Sequence, residues 1–283
     1  MNAPAPESPM RRVLMVVGLI CVLAVAAYVW LVPALAARLT AYVPLEWEEE
    51  MGAALMEELA PPNRVCADPD RLRVLEALVE QLAQASPVAP YTIRVAIVDD
   101  SLVNAVAAPG GYIVVFRGLL EQAETPEEVA GVLAHEIQHV VLRHGTTAVL
   151  KELPLRLAAA AAGNEAAGGL LGAATTLGAL RYRRGDEEAA DREGLRMLRA
   201  ARIAPDGMIE FFDRLAADGT DVPAGLAYLS THPPSEERTE TLRRLAADDP
   251  YEPRPLMQEY DWSAIRAACP APAASADTLP PSA

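Results

Sequence analysis

The strongest pattern along the chain is an uncharged run at positions 13–32, VLMVVGLICVLAVAAYVWLV. In a helix its twenty residues match the apolar thickness of a bilayer. Tyr28 and Trp30 stand near its far end, where interfacial aromatics belong. Residues 1–12 form a leader with three prolines, no pattern, and Arg11 and Arg12 at its end. The positive-inside rule keeps that leader cytoplasmic, so 13–32 reads as a single-pass anchor with the remainder exported. The alternative is a cleaved signal peptide, with Ala34-Leu35-Ala36 as its cleavage form. Signal peptides carry apolar regions of about 7–15 residues, shorter than this one.

Beyond the run, Leu45, Leu55, Met56 and Leu59 among glutamates predict a helix over 45–60. Asp68-Pro69 caps the next, whose Leu72, Leu75, Val79 and Leu82 share one face. TIRVAIV at 92–98 and YIVVF at 112–116 read as strands, joined through the turn-rich loop 104–111. Thr125-Pro126-Glu127-Glu128 is a capping box that opens a helix through about His144. Residues 153–180, rich in Ala, Gly and Leu, predict packed helices or a flap beside the membrane. Further helices are expected at 186–201, 206–217 and 235–247, and a disordered tail at 270–283. This is an α+β chain, mostly helical, with one domain at 45–269.

Composition narrows the function classes. A net charge of -15 argues against a nucleic-acid partner, which needs clustered Lys and Arg. Three cysteines are too few for a disulfide-built fold. Cys66 and Cys269 lie in the exported part and are candidates to pair there. The chain has four histidines, and three fall between 135 and 144.

His135-Glu136-Ile137-Gln138-His139 is an H-E-x-x-H motif on the capped helix. Residues four apart share a helical face, so both imidazoles reach one metal ion, and Glu136 stands beside it as a base for water. A catalytic zinc site needs a third protein ligand. Glu187 and Asp191 are four apart on helix 186–201, so one could bind zinc while the other orients a ligating histidine. His144, five residues past His139, falls off the ligand face and reads as a helix-end charge.

These motifs resemble the membrane-associated zinc metallopeptidases, the family of the CaaX prenyl endopeptidases, the HtpX proteases, the mitochondrial overlapping-activity protease and periplasmic outer-membrane-assembly proteases. NAVAAPGGYI at 104–113 resembles the family's stretch before the zinc helix, with Val106 in place of the usual Phe. RRGDEEAADREG at 183–194 resembles its Glu-x-Glu-Ala-Asp helix, with Ala189 where a second Glu is usual. THPPSEER at 231–238 resembles its Thr-His-Pro segment. The resemblance implies a zincin-like core and one Zn2+ per chain. It implies His135, His139 and Glu187 as ligands (Glu188 being the neighbouring choice), Asp191 behind a ligand, and Glu136 as catalytic base. His232 would lie near the metal, as oxyanion stabiliser or resting fourth ligand, with Arg238 as partner to a site carboxylate. It further implies a substrate edge on strand 112–116, with Gly110, Gly111, Tyr112, Ile113 and Val114 along an extended peptide. The expected activity is zinc-dependent endopeptidase action on misfolded or unassembled envelope proteins. The alternatives are a latent or chaperone-like protein holding clients in the same cleft, and a metallohydrolase with a non-peptide substrate.

Overall fold

The computed structural model describes residues 9–66, 68–161, 163, 182–218, 231–232, 236–267 and 269. The tail 270–283, the first eight residues and most of the 153–180 segment lie outside the described residues.

Helix α1 (Pro9–Leu39) extends past both ends of the apolar run. Its apolar window is wholly exposed on the molecule. A 3-10 turn at Thr40–Tyr42 leads to α2 (Leu45–Leu59). Helix α3 (Pro69–Ala85) starts where the Asp68 carboxylate accepts from the Asp70 and Arg71 backbone N–H groups. Its buried Arg71 donates to the Ala264 and Ile265 carbonyls at the start of the C-terminal stretch. Cys66 and Cys269 are joined as a disulfide at the same end of the molecule.

The sheet has three strands, β1 (Arg94–Val98), β2 (Ala105–Ala108) and β3 (Tyr112–Phe116), in the order β1-β3-β2. β3 pairs parallel with β1, Arg94 opposite Tyr112, and antiparallel with β2, Ala107 opposite Ile113. The expected edge on strand 112–116 is therefore corrected. The chain reverses through Pro109–Gly111, so β2 folds back on β3 while β1 takes its other side. Gly110 (φ 75°) makes that reversal possible, and a Cβ there would lie 2.7 Å from the Glu48 carbonyl of α2.

Helix α4 (Arg117–Gln122) follows, then α5 (Pro126–Val141), N-capped by the Thr125 hydroxyl. α5 is buried from Glu128 to Val140, lying between the sheet and helices α7 (Arg184–Ala201) and α8 (Asp206–Asp218). Gly131 lets α8 approach, since a Cβ there would stand 2.6 Å from the Met208 Cα. The predicted end at His144 falls three residues short, at Val141, because Arg143 adopts a left-handed φ of 59°. Helix α6 (His144–Ala161) opens in a new direction and packs along α1. Helices α9 (Glu236–Asp248) and α10 (Trp262–Arg266) complete the described fold, which is α+β and mostly helical as the pattern predicts.

Candidate metal centre

His135 and His139 are adjacent on one face of α5, with their Nε2 atoms 3.0 Å apart. α7 crosses α5 at Gly194, where a Cβ would lie 3.4 Å from the His135 backbone nitrogen. That crossing brings Glu187 over both histidines, 3.5 Å from each Nε2. Glu188, the neighbouring choice, is exposed, while Glu187 is buried. His232 enters from before α9. Its Nδ1 is 3.2 Å from His135 Nε2 and 3.0 Å from Glu187 Oε1.

The donor atoms of His135, His139, Glu187 and His232 all lie within 4.8 Å of one another. Three imidazole nitrogens and a carboxylate converging in a buried space leave lone pairs facing lone pairs. A divalent cation resolves that arrangement, and the nitrogen and oxygen donors suit zinc.

The groups behind the donors are equally ordered. His135 Nδ1 lies 2.9 Å from Asp191 Oδ1. Arg238 grips Asp191 through two bonds of 2.6 and 2.9 Å and reaches Glu187 at 2.9 Å. Its guanidinium thereby holds both carboxylates of α7 in place. Burial opposes ionisation of Glu187, but His232 and His135 outweigh it and hold its pKa far below the usual range. Burial is likewise outweighed at Asp191, where His135 and Arg238 push the pKa down. Burial alone would depress His135, yet Asp191 and Glu187 raise it to about 9. Burial and the neighbouring His135 and His232 push His139 down.

Glu136 is held differently. Its Oε2 accepts from the Ala107 N–H of β2 at 2.9 Å. Its Oε1 is buried without a hydrogen-bond partner among the described residues, 3.4 Å from His232 Nε2. Burial raises its pKa, with His232 and His135 pulling against that rise.

The structure does not bring the residues expected along a substrate to this cluster. Gly110 packs on Glu48 and Glu49, Gly111 on Thr92, and Tyr112 lies against Gly52 and under the Arg94 guanidinium. Ile113 and Val114 are buried in the central strand, facing opposite sides of the sheet. The strand beside the zinc helix is β2, whose Ala107 N–H and carbonyl bond Glu136 and the Tyr182 hydroxyl.

Three neighbours of the cluster escape the sequence reading. Tyr182 stacks on His139 with ring centres 3.9 Å apart. Phe212 meets His135 edge-on at 5.7 Å. His144, read as a helix-end charge, is instead 2.9 Å from His139, Nδ1 to Nδ1. The break at Arg143 cancels the periodicity that would have turned it away. With His139 Nε2 directed to the donor cluster, Nδ1 carries the hydrogen and donates to His144.

Comparison with known proteins places this geometry. The model of "Peptidase family M48" matches residues 69–246. A Vibrio cholerae protein of the beta-barrel assembly-enhancing protease type is 33% identical over 232 residues, 76% of this chain and 47% of its own length. The beta-barrel assembly-enhancing protease of Yersinia pestis is 26% identical over 250 residues, 83% of this chain and 51% of its own. The mitochondrial metalloendopeptidase OMA1 of Schizosaccharomyces pombe is 29% identical over 176 residues, 58% of this chain and 52% of its own. The chain thus spans about half the length of these curated relatives. The family match takes in more than half the chain, including the helices that carry His135, His139 and Glu187, so this chain belongs to the zinc metallopeptidases of family M48.

Proposed function

We propose that the chain is a membrane-tethered endopeptidase that hydrolyses unfolded or unassembled proteins of the bacterial envelope, with Glu136 as its catalytic base. One observation carries this reading. Glu136 has one oxygen pinned by the Ala107 N–H, while the other stands beside the donor cluster, 3.4 Å from His232 Nε2 and with no hydrogen bond among the described residues. A carboxylate that only packed or only bound clients would need no such oxygen held beside the donors. Burial raises its pKa, which suits a group that must both take and return a proton near neutrality.

His135, His139 and Glu187 would hold the zinc, with Asp191 and Arg238 fixing His135 and Glu187 from behind. Zinc supplies Lewis-acid polarisation of the scissile carbonyl and acidifies water at the site. Glu136 Oε1 takes the proton of the attacking water and passes it to the leaving nitrogen. His232 Nδ1 lies among the donors, 3.0 Å from Glu187, which supports the resting-ligand reading over the oxyanion reading in this arrangement. A fourth protein donor closes a zinc site to substrate. A latent state is the second reading that this contact favours.

The run 13–32 would anchor the chain in the inner membrane with the catalytic domain on the periplasmic side. The names of two relatives, which refer to beta-barrel assembly, support envelope proteins as the substrates. The test is to offer the zinc-loaded full chain, in detergent micelles, one protein in native and in unfolded form. Cleavage confined to the unfolded form is expected. Equal cleavage of both, or none of either, would contradict the reading.

A further inference from the structure

The apolar surface of the molecule does not end with α1. Helix α6 carries Lys151 and Glu152 at mid-length and then reads LPLRLAAAA over 153–161. In that last stretch Leu155 is 51% exposed and Leu157 is 61% exposed. Pro154 and Ala158 are exposed as well. Pro154, Leu157 and Ala158, three and four residues apart, share one face of the helix with Leu155 at its margin, and an exposed apolar face of this kind marks a surface that meets something apolar.

The packing indicates what that is. α6 lies against the end of α1 and the 3-10 turn after it, where Ala36 and Thr40 are buried and the Thr40 and Thr147 hydroxyls are 2.9 Å apart. Thr40 directly follows α1 and Thr147 lies in the first turn of α6, and the two helices stay in contact, so they run antiparallel. Leu157 is ten residues past Thr147, about 15 Å along α6 at helical rise. The same distance back along α1 from Thr40 reaches Trp30, which is 78% exposed at the end of the apolar run. The exposed end of α6 is therefore level with the interfacial aromatics of α1 and continuous with its lipid-facing surface.

We infer that residues 153–161 of α6 lie in the membrane interface, making α6 a second lipid contact beside α1. This rests on the reading of 13–32 as a membrane span. It gives α6 the role of a strut. His144, which opens α6 and bonds the ligand His139, is thirteen residues from Leu157, about 20 Å of helix. The metal centre is thereby fixed about 20 Å from the interface, a distance that about six extended residues span. The substrates reached most readily are extended segments emerging from the same bilayer.

The experiment uses the full chain in phosphatidylcholine vesicles, with an environment-sensitive nitrobenzoxadiazole probe on one thiol at a time. The bonded cysteines are left oxidised. Native Cys21, in α1, reports on the span. Cys21→Ser/Leu157→Cys reports on α6, and Cys21→Ser/Glu76→Cys on the exposed face of α3. Quenching is compared for lipids carrying a nitroxide at acyl carbon 5 or carbon 12. The probe at 157 is expected to be quenched severalfold more by the shallow nitroxide than by the deep one. The probe at Cys21 should show the reverse order, and the probe at 76 neither. If 157 behaves like 76 while Cys21 is quenched, the interfacial placement of α6 is overturned and the span stands. A blue-shifted but unquenched probe at 157 means that protein, from this chain or a second copy, covers the site, and overturns it equally. An unquenched Cys21 removes the span and this inference with it.

Discussion

At the residue scale, the metal centre is a set of donors each held by a specific second contact. His135 has Asp191, Glu187 has Arg238, and His139 has His144 on its far nitrogen and Tyr182 on its ring. Such outer contacts fix ring orientation and are worth about 10- to 100-fold in metal affinity. His144→Ala is expected to weaken zinc binding by about tenfold, measured by chelator competition, with the folded state retained. Protonation gives a second expectation. The His135 pKa in the metal-free folded protein, about 9, lies above its unfolded value of about 6.5. Its contribution is complete below about 6.5 and is lost as pH rises through 9. His139 and His144 are depressed by burial, so the unfolded chain alone takes up their protons below about 6.5 and stability falls there too. The urea midpoint of metal-free protein should therefore peak near pH 6.5 and decline toward pH 9. A midpoint that rises between those values would contradict the assignment.

At the element scale, helix α5 was legible because its signals are local. A capping box, an apolar pattern and an H-E-x-x-H spacing all sit within seventeen consecutive residues, 125–141. The pairing of Glu187 with Asp191 was legible in the same way, from a four-residue spacing on one helix. What escaped depends on breaks and on partners distant in sequence. One left-handed residue, Arg143, redirected His144 to His139, and no periodicity foretells a single αL position. Strand order was also hidden, since 112–116 reads as a strand whether it is central or at an edge. Tyr182 belongs to no motif and reaches His139 only through tertiary packing. The turn that redirects His144 is secured by α2. Buried Glu48 accepts from Arg143 Nε at 2.9 Å, from the Tyr91 hydroxyl at 2.7 Å and from the Thr146 hydroxyl. Glu48→Ala leaves the partly buried Arg143 guanidinium without its carboxylate, holding only the Val43 carbonyl, and is expected to cost about 3 kcal/mol by urea unfolding. It should also weaken zinc binding, whereas an alanine at exposed Glu76 should change neither.

At the scale of the whole molecule, a long apolar helix and a buried zinc helix are linked by α2 and α6, which both contact the turn after His139. The same sequence features that mark an anchor and a peptidase therefore sit on elements that touch. The disulfide between Cys66 and Cys269 ties the C-terminal stretch to the start of α3. The contacts of the α1 end and of the donor cluster meet at residues 143–147, through Thr147 with Thr40, Arg143 with Glu48 and His144 with His139.

Glu136, as proposed above, is the base of a zinc peptidase. The direct measurement is the zinc content of the full-length chain and of Glu136→Gln, together with their rates on unfolded casein. Equal zinc content and a loss of about 10²- to 10⁴-fold or more in the cleavage rate of Glu136→Gln is the expected result. Equal cleavage by both, with zinc bound to both, would contradict it.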